Sequence, residues 1–384
     1  MNVSTPEIVI PAALLPNDGR FGSGPSKVRH DAVAALADAA PKYLGTSHRH
    51  STVRSVVGRM RTGMASLFGL PDGYEVLLGN GGSTQFWDAA AFGLIERRSS
   101  HLVLGEFSSK FAAVTRNAPH LEDPEVVESE PGGTPARLDV VNGDAYAYPQ
   151  NETSTGVTVP VHRPLGDALV LVDALVLVDA TSAAGGMAVD PADFDAYYFA
   201  PQKCFATDAG IWIALCSPAA IARIESIHAS GRWTPPTLDL AIALENSRLD
   251  QTYNTPALAT LFLLANQVDW MLAQGGLSWA TGRCNTSAGI VYGWAATHAH
   301  ATPFVKDADY RSPVTATIDF DDTVDAAALA AVLRANGILD VEPYRKLGRN
   351  QLRIALFPAI EPEDVRALTA SIDYVLDVVG PGKS

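Results

Sequence analysis

EVLLGNGGSTQFWDAAAFGLI, residues 75–95, is the segment on which the fold assignment turns. It begins as an apolar run of strand length and breaks at glycines 79, 81 and 82. From Ser83 it continues at helical spacing. A strand that turns through glycines directly into a helix is the repeating step of a layered α/β protein. Gly81 and Gly82 allow a ligand close to the backbone, and bare N–H groups at the start of a helix attract an anion. Taken alone, the turn reads equally well as a turn and cap. It matches neither the P-loop pattern nor the dinucleotide fingerprint, which counts against both.

On either side of this segment, helical spacing predicts helices over 28–40 and 51–68, the second with Ser51 as its cap. Short apolar runs at 101–104, 145–148, 175–179 and 211–215 read as strands. Several are apolar throughout, as in a sheet covered on both faces. Residues 257–300 are helical in pattern. A strand at 314–320, a helix at 324–335, a strand at 351–357 and a helix at 361–378 then suggest a smaller α+β unit. The expected division is an irregular arm at 1–27, a large domain at 28–265 and a small domain at 266–384. The sequence DALVLV occurs twice, at 167–172 and 173–178, and offers two aspartates, Asp173 and Asp179, for one chemical task.

The chain has 384 residues, 47% of them hydrophobic and 18% charged, which excludes the disordered class. Its formal net charge of −14 argues against nucleic acid or an anionic membrane as partner. The three cysteines, Cys204, Cys216 and Cys284, are far apart and form no disulfide framework or zinc pattern. A reducing cytoplasmic setting is expected. The opening residues show no basic-then-apolar leader, no apolar run is long enough to span a bilayer, and no metal site is expected.

Three segments suggest chemistry. In APQKCFATDAGIWIAL (200–215), Lys203 stands in largely uncharged surroundings. A lysine there is structural, or has a depressed pKa, or makes a covalent bond; a Schiff base to an aldehyde cofactor meets both of the last two conditions. In LVLVDATSAAGG (175–186), Asp179 ends an apolar strand, where open α/β sheets place ligand groups. It caps the turn that begins at Ala180, or holds a proton on a heterocyclic nitrogen. The third segment is the glycine turn with Ser83 and Thr84.

Taken together and in order, these segments resemble the fold-type I pyridoxal-phosphate (PLP) aminotransferases, and within them the phosphoserine aminotransferase group of actinobacterial type. The resemblance is carried by FGSGPSKVR (21–29), LGTSHRHS (44–51), GNGGSTQFW (79–87), NETSTG (151–156), VDATSAAGG (178–186), YYFAPQKCFATDAG (197–210), QTYNTPA (251–257) and EPYRKLGRNQLRIALFP (342–358). It implies a mostly parallel, seven-stranded sheet covered by helices, with a smaller α+β domain at the C-terminus. It implies PLP bound covalently to Lys203, with Asp179 on the pyridine nitrogen, Phe107 on the ring face and Thr153 on the phenolic oxygen. Asp179 is preferred to Asp173 because the family's Ala-Thr-Ser follows only Asp179. Gly82, Ser83, Thr84 and Gln202 are implied for the phosphate, with Asn254 and Thr255 from a neighbouring subunit, so the implied partner is a second copy sharing composite sites. Substrate anions are implied for Arg353 (α-carboxylate) and for His48, Arg49 and Arg345 (distal anion). Phe107 stands where many relatives have Trp, Ser83 where several have Arg, and Tyr344 where the family often has His. Ser23 either touches substrate or caps a turn, and Cys204 is assigned no chemistry. The implied substrates are L-glutamate, phosphoserine and 3-phosphohydroxypyruvate, in serine biosynthesis, with a parallel role in pyridoxine synthesis credited to the family. The alternatives within the fold are an alanine–glyoxylate or serine–pyruvate aminotransferase and, through Cys284, a cysteine desulfurase; outside it, a non-catalytic sugar- or nucleotide-binding protein.

Overall fold

The computed structural model describes residues 8–134, 143–163 and 174–379. Asp173 and the first DALVLV copy lie outside them; the rest of the second copy supplies a core strand. The elements run α1 (His30–Tyr43), α2 (Ser51–Phe68), β1 (Glu75–Asn80), α3 (Ser83–Gly93), β2 (Ser99–Val103), α4 (Glu106–Asn117), β3 (Glu125–Glu128), β4 (Ala145–Pro149), β5 (Asn151–Glu152), β6 (Val157–Thr158), β7 (Leu175–Asp179), β8 (Ala196–Phe199) and β9 (Ile211–Cys216). They continue α5 (Pro218–Ala229), α6 (Leu240–Arg248), α7 (Leu258–Gln274), α8 (Gly276–Thr297), β10 (Ala301–Pro303), β11 (Thr315–Phe320), α9 (Ala326–Ala335), β12 (Gln351–Ala355) and α10 (Pro362–Val379).

The main sheet has seven strands in the order β1-β9-β8-β7-β4-β2-β3. All its pairs are parallel except those made by β9, which runs antiparallel to both β1 and β8. Its central strands are buried on both faces, as their unbroken apolar runs predicted. One face packs a core that includes Met60, Met64, Leu78, Val178 and Phe199. The other packs Leu77, Phe86, Trp87, Leu177 and Tyr198. A separate sheet, β10-β11-β12, sits over a second core shared by α8, α9 and α10.

Two local expectations change. Ser51 is the first residue of α2 and not its cap; His50 is, its ring accepting from the Thr52 N–H. The helical stretch after 257 is two helices, divided at Gly275, whose φ of 122° a side chain would rarely tolerate. Val268 and Met271 of α7 join the first core, whereas Cys284, Ala288 and Val291 of α8 join the second.

The N-terminal arm is held by the far end of the chain. Ile10 and Phe21 are buried in the second core. The Phe21 N–H donates to the Leu339 carbonyl at 3.2 Å, and the Phe21 carbonyl accepts from Ala355 at 3.0 Å. This route carries Ser23 and Gly24 across the carboxyl ends of the main strands.

Candidate active site

The carboxyl ends of β1, β4, β7 and β8 point the same way, and the loops beyond them enclose a cavity of about 280 Å³. This is the edge where open α/β sheets bind ligands. Of the sequence-predicted residues, Gly82, Ser83, Thr84, Phe107, Thr153, Asp179, Gln202, Lys203 and Arg353 line it, together with Ser23 and Tyr344.

Lys203 comes just after β8 and is 7% exposed. Its Nζ donates to the Thr153 hydroxyl at 2.8 Å and lies 5.4 Å from the centre of the Phe107 ring. Thr153 donates in turn to the Ser182 hydroxyl at 2.9 Å, and Ser182 to the Asn151 carbonyl at 3.1 Å. Burial pushes the ammonium down to about 8, against the opposing pull of Asp179. The side chain is also crowded: a Cβ on Gly24, whose φ is 127°, would stand 2.7 Å from its Cε.

Asp179 ends β7, paired with Pro149 on one side and Tyr198 on the other. Its Oδ1 accepts from the Thr181 N–H at 2.9 Å and the Thr181 hydroxyl at 2.6 Å. Its Oδ2 accepts from the Trp87 indole at 3.0 Å. Burial raises the carboxyl above its ordinary value; the Thr181 and Trp87 donors and Lys203 oppose that rise.

At the other end of the cavity, α3 begins at Gly82 with no side chain capping it. Its first N–H groups are therefore free for a ligand. The Ser83 and Thr181 hydroxyls are 2.6 Å apart, tying this end to the Asp179 end. Ser23 Oγ, Gln202 Oε1 and Arg353 Nε line the same cavity and are buried without partners. Such atoms cost stability unless a ligand satisfies them. Arg353 donates to the Thr153 carbonyl at 3.3 Å and lies 5.4 Å from the Tyr344 ring, which meets Phe107 at 5.7 Å. A phosphate-seeking helix start, an ionisable amine, a fixed carboxylate and an aromatic face in one cavity fit a phosphorylated pyridine aldehyde.

Five of the sequence-predicted residues do not line it. Asn254 and Thr255 are exposed and lie elsewhere on the chain's surface. His48 is 6% exposed, with its Nδ1 3.2 Å from the Thr255 hydroxyl and its Nε2 buried without a partner. Desolvation, then Arg49, lowers its pKa. Arg49 and Arg345 are exposed. His48 and Thr255 thus form one patch, and that patch is not part of this chain's own cavity.

Sequence reasoning missed Trp87 and Thr181 as site residues. Trp87 had a signal: it lies four residues after Ser83, so a helix begun at Gly82 places both on one face. Thr181, two residues after Asp179, fits a turn in which a carboxylate takes the N–H two residues on. The cysteines are all buried, with Cys284 pushed up to about 12 by burial, which removes the thiol a desulfurase needs.

The family model described as Aminotransferase class-V matches residues 21–340. The phosphoserine aminotransferase of Rhodococcus jostii is 58% identical over 379 residues, 98% of this chain and all of that one. Among solved structures, a phosphoserine aminotransferase from Cytophaga hutchinsonii matches with a TM-score of 0.82 at 24% identity, over 93% of this chain and 99% of that one. A PLP-bound phosphoserine aminotransferase from Trichomonas vaginalis matches with a TM-score of 0.77 at 18% identity, over 93% of this chain and all of the other. With this likeness over nearly its whole length, the chain belongs to the class-V aminotransferases.

Proposed function

We propose that the chain is a PLP-dependent phosphoserine aminotransferase. It moves the amino group reversibly between L-glutamate and 3-phosphohydroxypyruvate, giving O-phospho-L-serine and 2-oxoglutarate. The observation that carries the reading is Lys203, a buried amine bonded to Thr153, lining one cavity with Asp179. The 58% identity to the Rhodococcus enzyme supports the choice of substrate.

When bound, PLP supplies an aldehyde for Lys203 and a ring that accepts electrons from the substrate Cα. The α3 N-terminus, Ser83, Thr84 and Gln202 would hold its phosphate, and Phe107 would cover its ring. Asp179 would keep the ring nitrogen protonated. With the cofactor bound, the Nζ of Lys203 would be the base that takes the proton from the incoming amino acid's Cα and holds it for return. Arg353, with one nitrogen unpartnered, grips the α-carboxylate.

Both amino acids carry a second anion, which requires more cations than this cavity contains. His48, Arg49 and Arg345 are the candidates, and His48 stands beside Thr255, one of the two residues read as serving a neighbouring subunit's phosphate. The His48–Arg49 pair therefore serves the second subunit's site as well, in a homodimer whose two sites each draw on both chains.

A coupled assay of phosphoserine with 2-oxoglutarate, comparing the chain with its Lys203→Ala variant, tests the reaction. Turnover of phosphoserine should exceed that of alanine with glyoxylate, and the variant should lose at least about 100-fold. Retained turnover in Lys203→Ala, or a preference for alanine, would overturn the reading.

A further inference from the structure

We propose that Trp87 is a positioning residue for this reaction: its indole N–H holds Asp179 so that one particular oxygen, Oδ2, is offered to the ring nitrogen of the cofactor. The inference rests on the reading of Asp179 given above and goes beyond it.

The lone pairs of the carboxylate decide which oxygen is open. A carboxylate oxygen accepts about two hydrogen bonds. Oδ1 already takes two, from the Thr181 N–H and hydroxyl. Oδ2 takes one, from Trp87; the Tyr198 phenol interacts with the same carboxylate, but its oxygen finds no partner within hydrogen-bond geometry. Trp87 and Asp179 both line the cavity where the cofactor would be received. The indole is not free to leave. It is 3% exposed and stacked on Phe111, with ring centres 6.2 Å apart and planes within 15°.

The placement on α3 adds a second consequence. The same helix offers its uncapped start to a phosphate and, one turn later, Trp87 to the carboxylate. One rigid element thereby spaces the groups read as holding opposite ends of the cofactor. Thr181 reinforces the spacing through Ser83 and Asp179 together.

The neighbours of Asp179 leave few other ways to tune it. From β8 come Tyr197 and Tyr198, whose phenols burial pushes well up and keeps neutral, and of these the Tyr198 hydroxyl also interacts with the Asp179 carboxylate. From β4 the paired residue is Pro149, which has no charge to offer. Lys203 is the cation. Removing the indole N–H makes the carboxylate more basic, and the proton shared with the ring nitrogen moves toward Asp179. With the cofactor bound, that shift would weaken the ring as an electron acceptor.

The test uses the PLP-loaded enzyme with Trp87→Phe and, as a shape-preserving second variant, Trp87 replaced site-specifically by its benzothienyl analogue, which has sulfur in place of the N–H. Borohydride reduction should still fix the cofactor on the peptide 197–210 in both. KM for phosphoserine should stay within about twofold while kcat falls about tenfold, the effect of losing one hydrogen bond to a charged group. The pH midpoint of the visible cofactor band should move up by at least about half a unit. Asp179→Asn, run alongside, should lose more than either. An unchanged midpoint and kcat in a loaded Trp87 variant, with Asp179→Asn impaired, would overturn the proposal and leave the reading of Asp179 standing. If Asp179→Asn also behaved as wild type, that reading would fail and the proposal with it.

Discussion

Lys203 joins an ordinary sequence position to an unusual environment, and its titration should reveal this. At pH 7.5 about a quarter of these side chains are neutral, against about one in a thousand ordinary lysines. The rate at which cofactor-free protein captures PLP should therefore climb as pH rises towards about 8 and level off above it, where the amine is already deprotonated. Stopped-flow absorbance at fixed PLP measures this; a rise continuing to pH 10 would contradict the depressed value. Much of the site was legible in the sequence because its residues lie in short local motifs, as with Asp179 before Ala-Thr-Ser. The assembly of those motifs was less so. Arg353 is separated from Thr153 by 200 positions, and only the fold brings them to 3.3 Å. His48 and Arg49 were legible as a motif but not as a patch apart from the cavity, since that separation arises from packing against Thr255.

Among the elements, unbroken apolar runs identified β4, β7 and β9, and helical spacing gave α2 its full span. The runs missed β3, which is short and only half-buried, and β8, whose AYYF runs directly into the loop that bears Lys203. The β1–β9 pair carries a packing constraint that no propensity scale contains. Gly79 faces Trp212, and a Cβ there would lie 2.2 Å from the indole. Gly79→Ala should therefore destabilise the protein by about 1–3 kcal/mol, the cost of forcing extra volume into a filled core. Gly293, exposed on α8 with nothing within 4 Å of its missing Cβ, should respond with the opposite sign. Gly293→Ala should stabilise by about 0.5–1 kcal/mol. Denaturant midpoints of the two variants read both, and equal shifts would refute the packing argument.

For the molecule as a whole, the separation of His48 and Arg49 from Lys203 can be tested by complementation. Mix Lys203→Ala chains with Arg49→Ala chains, each poorly active alone. In the proposed homodimer, half of the pairs would join unlike subunits, and each such pair would regain one site with both functions intact. Activity should recover to about a quarter of wild type, as expected for random pairing across a two-fold interface. Recovery no greater than the sum of the separate variants would put Arg49 in the site of its own chain. The route of the N-terminal arm has a consequence for synthesis. Phe21 leaves the ribosome more than 300 residues before its hydrogen-bonding partners Leu339 and Ala355. The wall that Ser23 and Gly24 add beside Lys203 therefore waits for translation to pass Ala355. Until these distant segments have found each other, a nascent polypeptide should meet the vitamin as an open trough.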